Sequence, residues 1–277
     1  MDKLPLFLFG VGLIVCGMLT VKILRRRKRR LWLEKLESEP FPPEWDTFLL
    51  RNFELYDKLP EKLRRELQFQ TRVLMESKRW EAAGDLPAVT DEMRLLIMAQ
   101  AALLTIGRRD RRPFPKLFTL IVYPTAYRDT GRRTFSLHQD AQDRLGESWT
   151  TGSVVLAWDS VQRGAASEDD GCNVVLHEFA HQLDQADGVG DGAPILANRS
   201  EYADWATVLG KHYNKLVEDA SRGRRTLLDT YGATNAAEFF AVATEAFFER
   251  SRSMSREVPD LYRELKDYYQ LDPAAWR

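Results

Sequence analysis

Two histidines four residues apart, with a glutamate between them, lie in an otherwise apolar stretch of this 277-residue sequence. The stretch CNVVLHEFAHQLD, residues 172–184, places His177, Glu178 and His181 in the pattern HExxH. On a helix, positions four apart share one face, so both imidazoles can reach one point. Two neutral imidazoles suit Zn²⁺, and the glutamate between them can accept a proton from a zinc-bound water. The pattern predicts a catalytic centre with one zinc ion per chain; a chance match in a buried helix is the alternative.

A catalytic zinc needs a third protein ligand, and the sequence offers two places for it. Asp187 lies six residues after His181, where the longer HExxHxxGxxH pattern has its third ligand, but Asp184 replaces the glycine. The acidic residues of this loop can instead order it or orient a ligand histidine. The other place is a later helix, at Glu238 or Glu245. Because seven helical residues span about 10.5 Å, only one of these glutamates can bind the ion, and their spacing leaves the choice open.

The HExxH stretch needs a well-packed helix and neighbouring elements to hold its geometry. SEDD, residues 167–170, matches a capping box, so we predict that the helix begins there and ends before the loop at 187–194. Two β-rich runs, 117–127 and 151–158, predict strands of a small sheet beside this helix. The second run could pair with an extended substrate or lie inside the sheet. Apolar residues at helical spacing predict helices over most of the remaining chain, which gives a mainly helical α+β fold.

An apolar run occupies the N-terminus. Residues 4–24, LPLFLFGVGLIVCGMLTVKIL, contain one charge, Lys22, and RRRKRR follows at 25–30. About 20 apolar residues suffice to cross a bilayer, and the flanking cations favour a cytoplasmic location for the C-terminal part of the chain. We therefore predict a transmembrane anchor with its basic run over 1–30, a linker over 31–40 and a zinc metallopeptidase domain over 41–277. The predicted location is the inner membrane, single-pass, with the catalytic domain in the cytoplasm; a buried core helix is the alternative.

Bulk composition places the chain among ordinary globular proteins. Hydrophobic residues make up 44%, charged residues 29%, and the formal net charge is −1. So balanced a charge argues against direct nucleic-acid binding by the whole chain. The basic run at 25–30 follows the predicted span, and such a run more often contacts anionic lipid headgroups than nucleic acid.

Several segments resemble one known family. HEFAHQLD, together with YGATNAAEFFAVATEAFFER, resembles the bacterial Mlc titration factor A family of zinc-dependent peptidases. FPPEW, LLTIGRRD and LIVYPTAY are also similar to that family, and the resemblance covers nearly all of 41–277 but not the apolar N-terminus. The C-terminal motif is also similar to the catalytic domain of anthrax lethal factor, where a tyrosine precedes the glutamate ligand by seven residues.

The resemblance implies a fold, an activity and a set of residue roles. It implies a zincin-type, gluzincin-like domain in which His177, His181 and Glu238 bind zinc. Glu178 is then the general base and Tyr231 the hydrogen-bond donor to the oxyanion; a packed residue before a helix is the alternative for Tyr231. The implied substrates are peptides or proteins, with cleavage of the aminopeptidase type. Because relatives bind a transcriptional repressor of sugar uptake, the alternative function is a regulatory protein that sequesters such a repressor.

Overall fold

The protein, analysed as a computed structural model, is described over residues 4–108, 113–125, 152–167 and 170–276, with side chains from residue 17 onwards. It divides into two compact units, Met1–Phe41 and Pro42–Arg277. The first unit contains one helix, α1 (Leu4–Ser38), which continues through the basic run into the predicted linker.

The predicted membrane anchor is not supported by the structure. Among the described residues, no helix combines the length and the apolar character that a membrane span requires. The first thirteen residues of the predicted span, 4–16, lie outside the described side chains.

The second unit begins with four helices and two strands. They are α2 (Pro43–Asn52), α3 (Glu54–Lys58), α4 (Glu61–Ser77), β1 (Arg79–Ala82), α5 (Asp91–Leu103) and β2 (Thr119–Tyr123). The remaining elements are β3 (Ser153–Ala157), α6 (Trp158–Ala166), α7 (Val174–Asp184), α8 (Arg199–Ser221), α9 (Ala236–Glu249), α10 (Ser251–Glu257) and α11 (Pro259–Tyr269). Two short 3₁₀ turns, Thr230–Ala233 and Pro273–Ala275, precede α9 and follow α11.

The described strands form one small parallel sheet in the order β1, β2, β3. Leu120 and Val122 of the central strand are buried, and Leu120 pairs in register with Val154 of β3. Strand β3 also contacts α7, the helix that carries the HExxH pattern. This confirms the prediction of a mainly helical α+β domain with a small sheet beside that helix. Strand β1 and helix α6 were not predicted.

Helix α7 begins later than the sequence predicts. The structure places Ser167 at the end of α6, where its backbone N–H donates to the carbonyl of Arg163. Two residues of the predicted capping box, 168 and 169, lie outside the described residues. The actual cap is Asn173, whose side-chain oxygen accepts from the backbone N–H groups of Val175 and Leu176 at 3.0 Å each. Asparagine is among the strongest helix caps, so the prediction erred only in the choice of residue.

Helix α9 lies in the centre of the second unit, and every residue from Glu238 to Glu249 is buried. Its aromatic side chains pack against those of α11; the rings of Phe247 and Tyr269, for example, stack at 5.5 Å. Burial of each such side chain contributes about 1.5–3 kcal/mol to folding. The helix is therefore held firmly enough to place carboxylates at fixed points inside the protein.

Candidate metal centre

Two helices bring three ligand-type side chains together. His177 and His181 lie one turn apart on α7, and their Nε2 atoms are 3.2 Å apart. Glu238, in the first turn of α9, places Oε2 at 3.0 Å from Nε2 of His177 and at 3.3 Å from Nε2 of His181. All three side chains are buried, and within the described ranges they form the one group with the geometry of a metal site.

The separations of these three atoms fit a tetrahedral ion. Ligand atoms about 2.0–2.1 Å from one zinc, at tetrahedral angles, lie about 3.3 Å from each other. The observed separations of 3.0, 3.2 and 3.3 Å are close to that value. Three buried atoms that each carry a lone pair repel one another unless a cation, either a proton or a metal, lies between them. The donor set of two imidazole nitrogens and one carboxylate oxygen is the set that catalytic zinc uses.

Glu245 contacts the opposite side of the His177 ring. Its Oε1 lies 2.6 Å from Nδ1 of His177, and its Oε2 accepts from the backbone N–H of Asn173 at 2.6 Å. When Nδ1 carries the proton that this contact requires, Nε2 keeps its lone pair for an ion. Of the two glutamates left open by their spacing, Glu238 faces the two Nε2 atoms and Glu245 contacts Nδ1 on the opposite side of the His177 ring.

The charges around the site favour a bound cation. Burial by itself lowers the pKa of His177, but the carboxylates of Glu245 and Glu238 outweigh it and raise that pKa to about 10. For Glu238, burial raises the pKa, yet its hydrogen bonds with His177 and His181 hold it well below the usual value for glutamate. The carboxylate therefore stays ionised.

Glu178 and Tyr231 lie close enough to affect the same groups electrostatically. Glu178 is buried on α7, and its charge raises the pKa of both His177 and Tyr231. The ring of Tyr231 lies 6.0 Å from that of His177, in the 3₁₀ turn whose start is capped by the side chain of Asp229. Burial, followed by the charge of Glu238, raises the pKa of Tyr231, so its hydroxyl stays protonated. A protonated hydroxyl can donate a hydrogen bond at the site.

The acidic residues after α7 order the loop instead of joining the cluster. Asp187 accepts from the backbone N–H of Val189 at 2.9 Å in an exposed turn. Asp184, at the end of α7, is buried and accepts from the backbone N–H of Gly192 at 2.9 Å. Among the described residues, no metal-binding group of side chains includes either aspartate.

Gly192 brings this loop against the helix that carries Glu238. Its carbonyl accepts from the indole of Trp205 at 2.9 Å, and its φ of +83° is one that glycine adopts without strain. A side chain here would collide with the backbone carbonyl of Ala236. Asn235 then caps α9 by accepting from the backbone N–H of Glu238 at 2.9 Å. These contacts fix the first turn of α9 relative to the end of α7.

Sequence reasoning missed two residues behind the site. Asn173 and Gln100 are both buried and hydrogen-bonded to each other at 2.9 Å. An asparagine just before an HExxH helix is a detectable cap signal, whereas nothing in the apolar stretch around Gln100 indicates its partner. His212 pairs with Asp260 at 2.8 Å on other helices, away from the cluster.

Comparison with known proteins identifies the family. The sequence profile described as "Glucose-regulated metallo-peptidase M90" matches residues 23–270. The chain belongs to the M90 family. It is similar to an uncharacterized protein of Synechocystis, with 36% identity over 247 residues, 87% of this chain and 89% of that protein. It is also similar to Mlc titration factor A of Pectobacterium atrosepticum, with 33% identity over 142 residues, which are 50% of this chain and 52% of that protein. With Mlc titration factor A of Yersinia pestis the identity is 26% over 252 residues, which are 88% of this chain and 90% of that protein.

These matches confirm the predicted resemblance to the Mlc titration factor A family. Membership of M90 makes the chain a member of a metallopeptidase family, and the buried cluster of His177, His181 and Glu238 fits a metal ion. A peptidase family implies peptide or protein substrates. Neither the M90 description nor the names of these relatives specify aminopeptidase activity.

Proposed function

We propose that the protein is a zinc-dependent peptidase with one zinc ion bound by His177, His181 and Glu238. The observation that carries this proposal is the convergence of two Nε2 atoms and one carboxylate oxygen within 3.0–3.3 Å of each other. Membership of a metallopeptidase family supports hydrolysis of peptide bonds. The donor set supports zinc, which imidazole and carboxylate ligands commonly bind in peptidases.

The remaining residues take the roles of a hydrolytic site. Bound zinc supplies a Lewis acid that lowers the pKa of a water molecule to about 7. The carboxylate of Glu178 accepts a proton as water attacks the scissile carbonyl, and it then gives that proton to the leaving amine. The hydroxyl of Tyr231 donates a hydrogen bond to the oxyanion; loss of one such donor costs about 10²–10³ in rate.

The decisive experiment compares zinc content and turnover in three proteins. Glu178→Gln should bind one zinc per chain but lose hydrolysis of a casein or peptide-library substrate, because the amide cannot accept a proton. Tyr231→Phe should still bind one zinc per chain and lose about 10²–10³ in kcat. Unchanged turnover of Glu178→Gln would remove this residue from the mechanism, and a wild-type chain without bound zinc would remove the whole proposal.

We propose cleavage from the amino terminus on the strength of the family resemblance alone, and this can be tested on the same preparations. Matched peptides with a free or an acetylated N-terminus should differ, with only the free amine supporting release of the first residue. Equal cleavage of both peptides at internal bonds would show an endopeptidase and overturn the aminopeptidase assignment without affecting the zinc site.

A second candidate function is binding of a transcriptional repressor. The relatives named Mlc titration factor A support it, since a titration factor removes its partner from solution. Titration calorimetry of the Glu178→Gln protein against purified Mlc-type repressor tests it free of proteolysis. Saturable binding supports sequestration, and no heat at micromolar concentrations excludes it for that repressor.

The inner membrane, with the metallopeptidase domain in the cytoplasm, is the proposed location. The apolar residues 4–24 and the cations at 25–30 support it. The full chain should sediment with membranes and resist extraction by alkaline carbonate, and a chain that lacks residues 1–30 should not. Release of the full chain by carbonate would refute the anchor.

A further inference from the structure

A chain of buried polar side chains leads from the interior of the protein to the metal centre. Gln100 on α5 accepts from the side-chain amide of Asn173 through Oε1 at 2.9 Å. The backbone N–H of Asn173 donates to Glu245 at 2.6 Å, and Glu245 contacts Nδ1 of His177 at 2.6 Å. All four residues are buried. We refer to Gln100, Asn173 and Glu245 as the support chain of His177.

Asn173 is the centre of this support chain because each of its polar groups is engaged. Its side-chain oxygen caps α7, and its carbonyl accepts from the backbone N–H of His177 at 2.9 Å. Its amide nitrogen donates to Gln100 and also to the carbonyl of Gly164 at 3.0 Å. One residue therefore fixes the start of the helix that carries the ligand and the carboxylate that orients the ligand ring.

The surroundings leave Asn173 little freedom to move. A side chain at position 164 would come within 3.0–3.1 Å of Asn173, so glycine there lets α6 approach closely. Gln100 is itself held by its amide, which donates to the carbonyl of Leu96 at 3.2 Å and to that of Val161 at 3.5 Å. The support chain is thus anchored in α5 and α6, helices that carry none of the three proposed ligands.

Buried polar groups are costly unless they are fully paired, and apolar residues of similar size commonly stabilise a core at least as well. We therefore look for the role of the support chain in the side chains that it orients. We propose that Gln100 and Asn173 are positioning residues that hold Glu245, and through it the ring of His177, in the geometry that binds zinc. This inference rests on the proposed zinc site, and it extends the control of that site to a residue, Gln100, that touches no ligand.

Zinc affinity of the folded, ion-free chain tests the inference independently of catalysis. We would remove zinc with a chelator and titrate it back in competition with a chromophoric chelator. Gln100→Met removes the acceptor at nearly constant volume. Asn173→Ser keeps a good helix cap and the backbone donor but loses the amide. Direct partners of ligand histidines typically contribute 10–100-fold to metal affinity, so for these more remote residues we expect a loss of about 3–10-fold.

A matched control separates positioning from general stability. Thr244→Val removes a buried hydrogen bond, to Tyr269 at 2.8 Å, from the helix that carries Glu238 and Glu245, but on a side that faces α11. It should lower the melting temperature and leave zinc affinity within twofold of wild type. The double variant Gln100→Met/Asn173→Ser should lose less affinity than the product of the single losses, since both changes break one link.

The outcomes distinguish the inference from the function on which it rests. If both single variants bind zinc as tightly as wild type while melting earlier, the support chain is purely structural and the inference is wrong, although the zinc site stands. If the wild-type chain binds no zinc, both fail. Should Gln100→Met not fold, Asn173→Ser gives the answer alone, because its cap and backbone contacts are kept.

Discussion

Replacement of Glu245 by glutamine tests the orientation of His177 most sharply. Glu245 receives two hydrogen bonds, and both partners are donors: Nδ1–H of His177 and the backbone N–H of Asn173, each at 2.6 Å. A carboxylate can accept from both, whereas an amide has one accepting oxygen and one donating nitrogen. In Glu245→Gln, the amide nitrogen must therefore face either the histidine ring or the backbone donor.

Each arrangement has a calculable cost. If the amide nitrogen faces His177, the ring must move its proton to Nε2 and loses the lone pair that binds the ion. If it faces Asn173, a buried N–H is left without an acceptor, which costs about 1–3 kcal/mol. Partners of ligand histidines typically contribute 10–100-fold to metal affinity, which corresponds to about 1.4–2.7 kcal/mol. We expect a loss of zinc affinity in this range, together with a lower melting temperature of the ion-free chain.

The measurement is the zinc dissociation constant of the folded chain, with ¹⁵N chemical shifts of the histidines to report the position of the proton. Glu249→Gln is the matched control, since Glu249 lies one turn further along α9 and is also buried. Within the described residues, neither of its oxygens makes a hydrogen bond of normal geometry, although burial raises its pKa and weaker contacts with the Asn173 side chain and the Cys172 backbone partly offset that rise. Zinc affinity of Glu245→Gln within twofold of wild type would contradict the orienting role.

Three further predictions concern stability. Burial, and then the charge of Glu245, raises the pKa of Glu249 well above that of free glutamate. Glu249→Gln should therefore raise the melting temperature at pH 7, and this gain should shrink as the pH falls towards about 4. A gain in melting temperature that does not depend on pH would contradict this prediction. The hydrogen bond from Lys211 lowers the pKa of Asp260. The loss of stability in Asp260→Asn should therefore be complete above about pH 5 and become smaller at more acidic pH, which melting curves at several pH values can check. Gly192→Ala should destabilise the chain by about 2 kcal/mol or more, measured by urea unfolding, because its φ is positive and the new methyl group meets a backbone carbonyl.

The sequence predicts the chemistry of the site better than its support. His177 and His181 follow from helical periodicity, because positions four apart on one helix must share a face. The third ligand-type side chain, a carboxylate, comes from a helix 57 residues further along than His181. Periodicity places Glu238 and Glu245 on one face of that helix without indicating which of them meets the histidines. That depends on where α9 crosses α7, which is a property of tertiary packing, so the family resemblance had to supply the choice.

Helix boundaries show the same division between local and tertiary information. The capping box at 167–170 is a good local signal, yet α6 ends just before it, and the residue that caps α7 is Asn173, three residues after it. Cys172, which directly precedes this cap, lies outside the helix and is exposed. Gln100 carries no local signal of its role, because its partner lies 73 residues away.

The hydrogen bonds that arrange the three ligands lie entirely within the protein. Asn235 fixes the first turn of α9, and Glu245 fixes the ring of His177. The side chains proposed to bind the ion are therefore already ordered before it arrives. Little of its binding free energy is then spent on immobilising side chains. Small zinc domains, by contrast, unfold when their ion is withdrawn. For the proposed zinc site, this predicts a chain that stays folded when zinc is scarce and binds the ion again when the metal becomes available.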